Sequence, residues 1–133
     1  MAETLASTST IAPIGRNLKL GIAGLGRGFT VMLPTLALHP RLDVVAAVDT
    51  RSAAGVRFEA DFGGTAYDSV EAMCAEADIE AVYVATPHQF HAEHTEIAAR
   101  AGKHILVEKP MALTIEDCTR MIDAAAAAGV HLL

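Results

Sequence analysis

Three short stretches carry residue types that a plain scaffold has little need of: Gly24-Leu25-Gly26-Arg27-Gly28-Phe29, Asp49 with Arg51, and Glu108-Lys109-Pro110. A glycine-rich turn after a strand can lay bare N–H groups against a phosphate. One glycine makes the tight turn, a second admits close backbone approach, and a third lets helix pack on strand. Gly24 and Gly26 fit the first two roles. The third place falls on Phe29, with Gly28 one residue early. Glycines after a strand also serve as ordinary turn residues, so the motif needs its context.

Asp49 supplies that context. It lies 21 residues beyond Gly28, at the end of an apolar run. A carboxylate there can accept both hydroxyls of an adenosine ribose and would repel a 2′-phosphate, which favours NAD over NADP. Arg51 pulls the other way, since a guanidinium can pair with that phosphate. Lys109, tethered just beyond another strand, could hydrogen-bond a substrate hydroxyl and stabilise the alkoxide that precedes hydride loss. Glu108 could hold the nicotinamide ribose or fix the lysine.

A fourth stretch, Thr86-Pro87-His88-Gln89-Phe90-His91 followed by His94, raises the question of a metal. Three residues turn a helix by about 300°, so His94 would stand about 120° from His88. At most two of the rings could share a face, and no metal is expected. His94 is expected to be solvated or capping, and His88 or His91 could face a cofactor.

These residues need elements to carry them. Apolar strand-like runs alternate with helical patterns, the sign of a doubly wound, mostly parallel α/β sheet. Strands are expected at Leu18–Ala23, Leu42–Val48, Thr65–Tyr67, Ala81–Ala85 and His104–Val107, with Val130–Leu133 as a sixth cut short. Helices are expected at Phe29–Leu38 despite Pro34, and at Ser52–Phe62. Another runs from an Asp68/Glu71 capping box to about Ala75. Two more are Phe90–Ala101, closed by Gly102, and one from a Thr114/Asp117 capping box to Ala128. Near-continuous apolar strands imply burial on both faces. Ligands of such sheets bind beyond the carboxyl ends of the strands, where strand order reverses. The four stretches above all fall there.

The 133 residues suit one domain, with 52% hydrophobic and 20% charged residues. A formal net charge of −6 argues against nucleic acid and anionic membranes as partners. Residues 1–17 read as a Ser/Thr-rich, disordered tail without a secretory pattern. No run reaches the ~20 apolar residues of a membrane span. Cys74 and Cys118 read as buried thiols of a reducing cytoplasm.

Taken in order, Gly24-Leu25-Gly26-Arg27, Asp49, Ala85-Thr86-Pro87 with His91, and Gly102-Lys103-His104 leading to Glu108-Lys109-Pro110 resemble the amino-terminal domain of the glucose–fructose oxidoreductase / inositol dehydrogenase / MocA family. The resemblance covers about residues 18–133. It implies a Rossmann-type fold and NAD(P)-dependent oxidation of a ring secondary alcohol on a sugar, cyclitol or cyclic diol. It implies that Lys109 is catalytic or substrate-binding. It also implies that Gly24, Leu25, Gly26, Arg27, Asp49, Arg51, Thr86, Pro87, His91, Glu108 and Lys109 hold the cofactor, with NAD expected and NADP not excluded. A narrower resemblance, through Gly28-Phe29-Thr30, Leu33-Pro34-Thr35 and His88-Gln89-Phe90-His91, is to dihydrodiol dehydrogenases of phthalate breakdown. The family carries a second α/β domain with a further acid/base and the oligomer interface. That domain is absent from these residues, so a homo-oligomer is expected of the full-length protein. Two rival readings are a non-catalytic dinucleotide module or inactive fragment, and an S-adenosylmethionine-dependent methyltransferase domain. The methyltransferase reading gives Lys109 no task.

Overall fold

The structure is a computed structural model that describes residues 16–133. Most of the expected tail, residues 1–15, lies outside the described residues. Arg16 and Asn17, expected to belong to it, instead bond Glu80 and Asp43.

Five strands form one wholly parallel sheet in the order β3-β2-β1-β4-β5. They are β1 (Leu18–Ala23), β2 (Leu42–Val48), β3 (Thr65–Tyr67), β4 (Ala81–Val84) and β5 (His104–Val107). The helices are α1 (Arg27–Leu38), α2 (Ser52–Phe62), α3 (Val70–Glu76), α4 (His91–Arg100) and α5 (Ile115–Ala128). The segment after α5 continues the sheet only as an isolated parallel bridge, Ile105 to Leu132. The chain runs outward from β1 to β3, then returns to add β4 on the other side of β1. Strand order therefore reverses between β1 and β4, and a crevice opens beyond their carboxyl ends.

Side chains alternate across the strands and bury both faces. On one face Leu20, Ile22, Val44, Ala47 and Tyr83 pack with Phe29 and Leu36 of α1 and Phe58 of α2. On the other, Ala23, Ala46, Val48, Val82 and Val84 pack with Val70 and Met73 of α3 and Ile97 and Ala98 of α4. Phe29 explains the missing third glycine. Its ring turns into the core, 6.0 Å from that of Phe62, and Gly28 takes the close-packing place. A Cβ on Gly28 would stand 3.4 Å from both the Ala85 Cβ and the Glu108 Cγ.

Several local expectations are corrected. Helix α1 begins at Arg27, not Phe29, because Gly26 already serves as its N-cap. Asp68 does not cap α3: the cap is Ser69, whose hydroxyl accepts from the Ala72 N–H. Thr114 caps α5 by accepting from the Asp117 N–H, but the Asp117 carboxylate pairs with Arg120 instead of closing a box. Strand β4 ends at Val84, and His88–Phe90 form a 3₁₀ turn ahead of α4. Cys74 is buried while Cys118 is only half-buried.

Candidate active site

The turn after β1 is set by backbone geometry. Gly24 sits at φ +94°, and a Cβ there would lie 2.7 Å from the Ala85 oxygen and the Thr86 nitrogen. Only glycine combines that φ with that approach. The Gly24 N–H donates to the Val48 carbonyl at 2.8 Å, and the Ala85 N–H to that of Ala23 at 2.7 Å. The loops after β1, β2 and β4 are thus laced together. Gly26 opens α1 with no side-chain cap and no acidic residue in the first turn. Those first N–H groups, at the positive end of the helix dipole, suit an anion. A Cβ on Gly26 would meet nothing within 4 Å, so its face is open.

Asp49 directly follows β2 and its carboxylate is fully engaged. One oxygen accepts from the Leu25 N–H at 2.9 Å and from Arg51 Nη2 at 3.1 Å. The other accepts from the Arg51 N–H at 2.8 Å and from Arg51 Nε at 2.9 Å. Burial pushes the Asp49 carboxyl up, but the Arg51 bonds and the Leu25 N–H outweigh it and hold the group below its ordinary range. The Arg51 side chain remains 61% exposed against 8% for Asp49, so the guanidinium is the partner free to move.

On the far side, Glu108 follows β5. Its Oε1 accepts from the Tyr83 hydroxyl at 2.8 Å, and its Oε2 from the Lys109 main-chain N–H at 2.9 Å. These two bonds hold the Glu108 carboxyl below its ordinary range. Glu108 therefore fixes the backbone at Lys109 and not its amine. Lys109 is exposed, and among the described residues no carboxylate pairs with it.

The three histidines have separate tasks. His91 is fully buried. Its ring nitrogens lie 2.9 Å from the carbonyl oxygens of Thr86 and Pro110, so it ties the threonine-proline loop to the Glu-Lys-Pro loop. His94, expected to be solvated or capping, bonds the Thr86 hydroxyl through Nδ1 at 2.9 Å, and burial lowers its pKa. His88 stands at the cleft, with its ring edge-on to His91.

Gly24, Gly26, Arg27, Asp49, Arg51, Thr86, Pro87, His91, Glu108 and Lys109 all border one cleft of about 510 Å³. Leu25 does not: its side chain is in the core and its N–H is spent on Asp49. His91 reaches the wall with both ring nitrogens facing main-chain carbonyls. Ala85 of the threonine-proline motif also lines the cleft, as do Val31 and Thr50, which carried no signal of their own. Tyr83 was missed because it reads as strand core. Its one available clue was that a buried tyrosine needs a partner for its hydroxyl. A wider depression of about 690 Å³ lies at the opposite, amino end of the strands, beside Arg16 where the described residues begin. It gathers none of these groups.

A parallel sheet with a glycine turn, an uncapped helix and an acid directly after β2, all at the strand-order reversal, defines a dinucleotide-binding domain. The oxidoreductase-family model for the NAD-binding Rossmann fold of Gfo/Idh/MocA proteins matches residues 18–133. The chain belongs to that family, which sets the methyltransferase reading aside. It is 50% identical over 117 residues to 1-carboxy-3-chloro-3,4-dihydroxycyclohexa-1,5-diene dehydrogenase of Comamonas testosteroni, covering 87% of this chain and 30% of that protein. Among solved structures, the WlbA dehydrogenase from Bordetella pertussis in complex with NADH and UDP-GlcNAcA superposes with a TM-score of 0.83. It is 33% identical, covering 89% of this chain and 35% of that one. The scyllo-inositol dehydrogenase from Lactobacillus casei with NAD(H) and scyllo-inositol gives 0.82 at 28% identity, covering 89% and 36%. The chain thus spans about a third of the length of these relatives. No helix among the described residues is long and apolar enough to cross a membrane.

Proposed function

We propose that the chain seats NAD(H) along the cleft, pyrophosphate on the Gly24–Gly28 turn, and offers Lys109 to a ring secondary alcohol. The observation that carries this is the convergence of the turn, Asp49 and Lys109 on one cleft. When bound, the nicotinamide supplies the acceptor for a hydride. The first-turn N–H groups of α1 receive the pyrophosphate, and Arg27 adds charge beside them. Asp49 takes the adenosine ribose once the Arg51 guanidinium swings aside, and the same guanidinium is placed to meet the 2′-phosphate of NADP. The Thr86-Pro87 loop and Glu108 border the reacting end.

Lys109 would orient the substrate hydroxyl and steady its oxygen while the O–H proton passes to the acid/base of the second domain and the C–H hydrogen passes as hydride to the nicotinamide. The favoured substrate is a cyclic cis-diol, supported by the likeness to the carboxy-chloro-dihydroxycyclohexadiene dehydrogenase and by the His88-Gln89-Phe90-His91 loop. The remaining pocket wall, a further acid/base and a homo-oligomer contact are assigned to a second α/β domain, since relatives are about three times as long. The free thiols of Cys74 and Cys118 favour a reducing cytoplasm.

The test is Lys109→Ala in the full-length protein, followed by NADH absorbance with a cyclic cis-dihydrodiol. Turnover should fall by at least ~10²-fold while NADH affinity stays within about threefold. Unchanged turnover would remove Lys109 from the chemistry. A second reading is a dinucleotide module without turnover, since every group assigned above except Lys109 serves the coenzyme. NADH binding by a full-length protein inert toward every cyclic diol, sugar and cyclitol would support it.

A further inference from the structure

Tyr83 has no part in the chemistry above, yet its hydroxyl stands where the two halves of the cleft meet. It lies in β4 on the α1 face, 2% exposed. Besides its 2.8 Å bond to Glu108, the hydroxyl is 3.4 Å from the Gly28 carbonyl. It has one proton, and the shorter contact to a carboxylate takes it. The second Glu108 oxygen is bound by the Lys109 N–H, so the carboxylate is gripped from two directions. It cannot rotate without losing both bonds. The stem of Glu108 also packs under the glycine turn, as the Gly28 geometry shows.

We propose that Tyr83 is a positioning residue, whose hydroxyl holds Glu108 and through it the Lys109 main chain, so that the reacting end of the cleft is set against the glycine turn. It touches neither dinucleotide nor substrate. The phenol acts here as a fixed donor and does not give up its proton, because burial and the neighbouring carboxylate push its pKa well up. A phenylalanine would fill the same space in the core and leave Glu108 with one bond in place of two. The proposal rests on the dinucleotide lying in this cleft; wild-type NADH affinity tests that placement, and the comparison of variants tests Tyr83.

The experiment is calorimetry of wild type, Tyr83→Phe, Glu108→Ala and the double variant. The ligands are NADH and ADP, the latter keeping adenosine and pyrophosphate but lacking the nicotinamide riboside. Tyr83→Phe should weaken NADH about fivefold, the scale of one hydrogen bond, and leave ADP within about twofold. In the Glu108→Ala background it should add nothing. NADH affinity of Tyr83→Phe should also fall away at a higher pH than in wild type, since Glu108 loses the donor that keeps it ionised. Equal loss of both ligands, or the full fivefold loss without Glu108, would overturn the proposal.

An independent reading needs no phenylalanine variant. Glu108→Ala alone should weaken NADH at least as much as Tyr83→Phe and leave ADP within about twofold, and wild-type NADH affinity in Glu108→Ala would overturn the proposal even if Tyr83→Phe failed to fold.

Discussion

Two alanine substitutions, two residues apart in the same turn, should do opposite things. At Gly24 the added Cβ must accept φ +94° and would sit 2.7 Å from the Ala85 oxygen, 2.7 Å from the Thr86 nitrogen and 2.8 Å from the Ala85 carbonyl carbon. The left-handed conformation alone costs about 1–2 kcal/mol. The clash is with main chain of the loop after β4, which the Ala85 N–H bond to the Ala23 carbonyl holds in place, while Gly24 is itself held by its N–H bond to the Val48 carbonyl, so relief requires shifting two loops. A total near 3 kcal/mol follows, a large share of the ~5–15 kcal/mol of a typical domain. At Gly26 the Cβ meets nothing within 4 Å. The expected stability cost is under about 1 kcal/mol, the difference between glycine and alanine at an N-cap. That Cβ, however, projects into the cleft where a pyrophosphate must touch backbone.

The assay is urea unfolding beside calorimetric NADH binding. Gly24→Ala should lower the unfolding free energy by about 3 kcal/mol and the melting temperature by roughly 10 °C. Gly26→Ala should melt within a few degrees of wild type and bind NADH at least about tenfold more weakly, or 1.4 kcal/mol. Wild-type stability in Gly24→Ala would refute the close approach of the turn to β4. Wild-type affinity in Gly26→Ala would refute the phosphate assignment.

Arg51→Ala should separate the two coenzymes. It leaves the Asp49 carboxylate open to the ribose diol, so NAD affinity should hold or rise, while NADP affinity drops about tenfold; calorimetry showing both falling together would contradict the swinging guanidinium. His94 should make stability acid-sensitive. Its folded pKa is depressed by burial, so the unfolded chain takes up the proton more readily. That contribution is complete above an unfolded value of about 6.5 and is lost as pH falls through the folded value. Urea unfolding at about pH 7.5 and about pH 5 should show a larger loss for wild type than for His94→Gln, and equal losses would exclude burial of the His94 ring as its source.

The strands were legible because burial on both faces demands unbroken apolar runs. Leu18–Ala23, Leu42–Val48 and His104–Val107 appear with the limits their composition implied. Helix starts were less so. Asp68 and Ser69 are both good caps, and only the register of α3 on Val70 and Met73 decides for Ser69. The site divides in the same way. Gly24, Gly26, Asp49 and Lys109 could be read from position alone, because each follows a strand at the edge of the crevice. Most of what these groups bond to was not legible, because Leu25, Pro110 and Tyr83 lie 19 to 25 residues from the groups they meet; Arg51 and Thr86 are the near partners. The Asp49 oxygens are claimed by Leu25 and Arg51, the His91 ring by the Thr86 and Pro110 carbonyls, and the Glu108 carboxylate by Tyr83. No local pattern marks a tyrosine inside Ala81–Val84 as anything but core.

The most direct test of the central claim, one coenzyme gathered by turn, acid and lysine in a single cleft, is a titration of the ¹⁵N-labelled protein with NADH followed by amide chemical shifts. The changes should concentrate at Gly24–Gly28, Thr50 and Arg51, Ala85–His88 and Glu108–Lys109, and leave the amino-end depression at His39 and Arg41 still. No changes, or changes centred on that depression, would contradict the account.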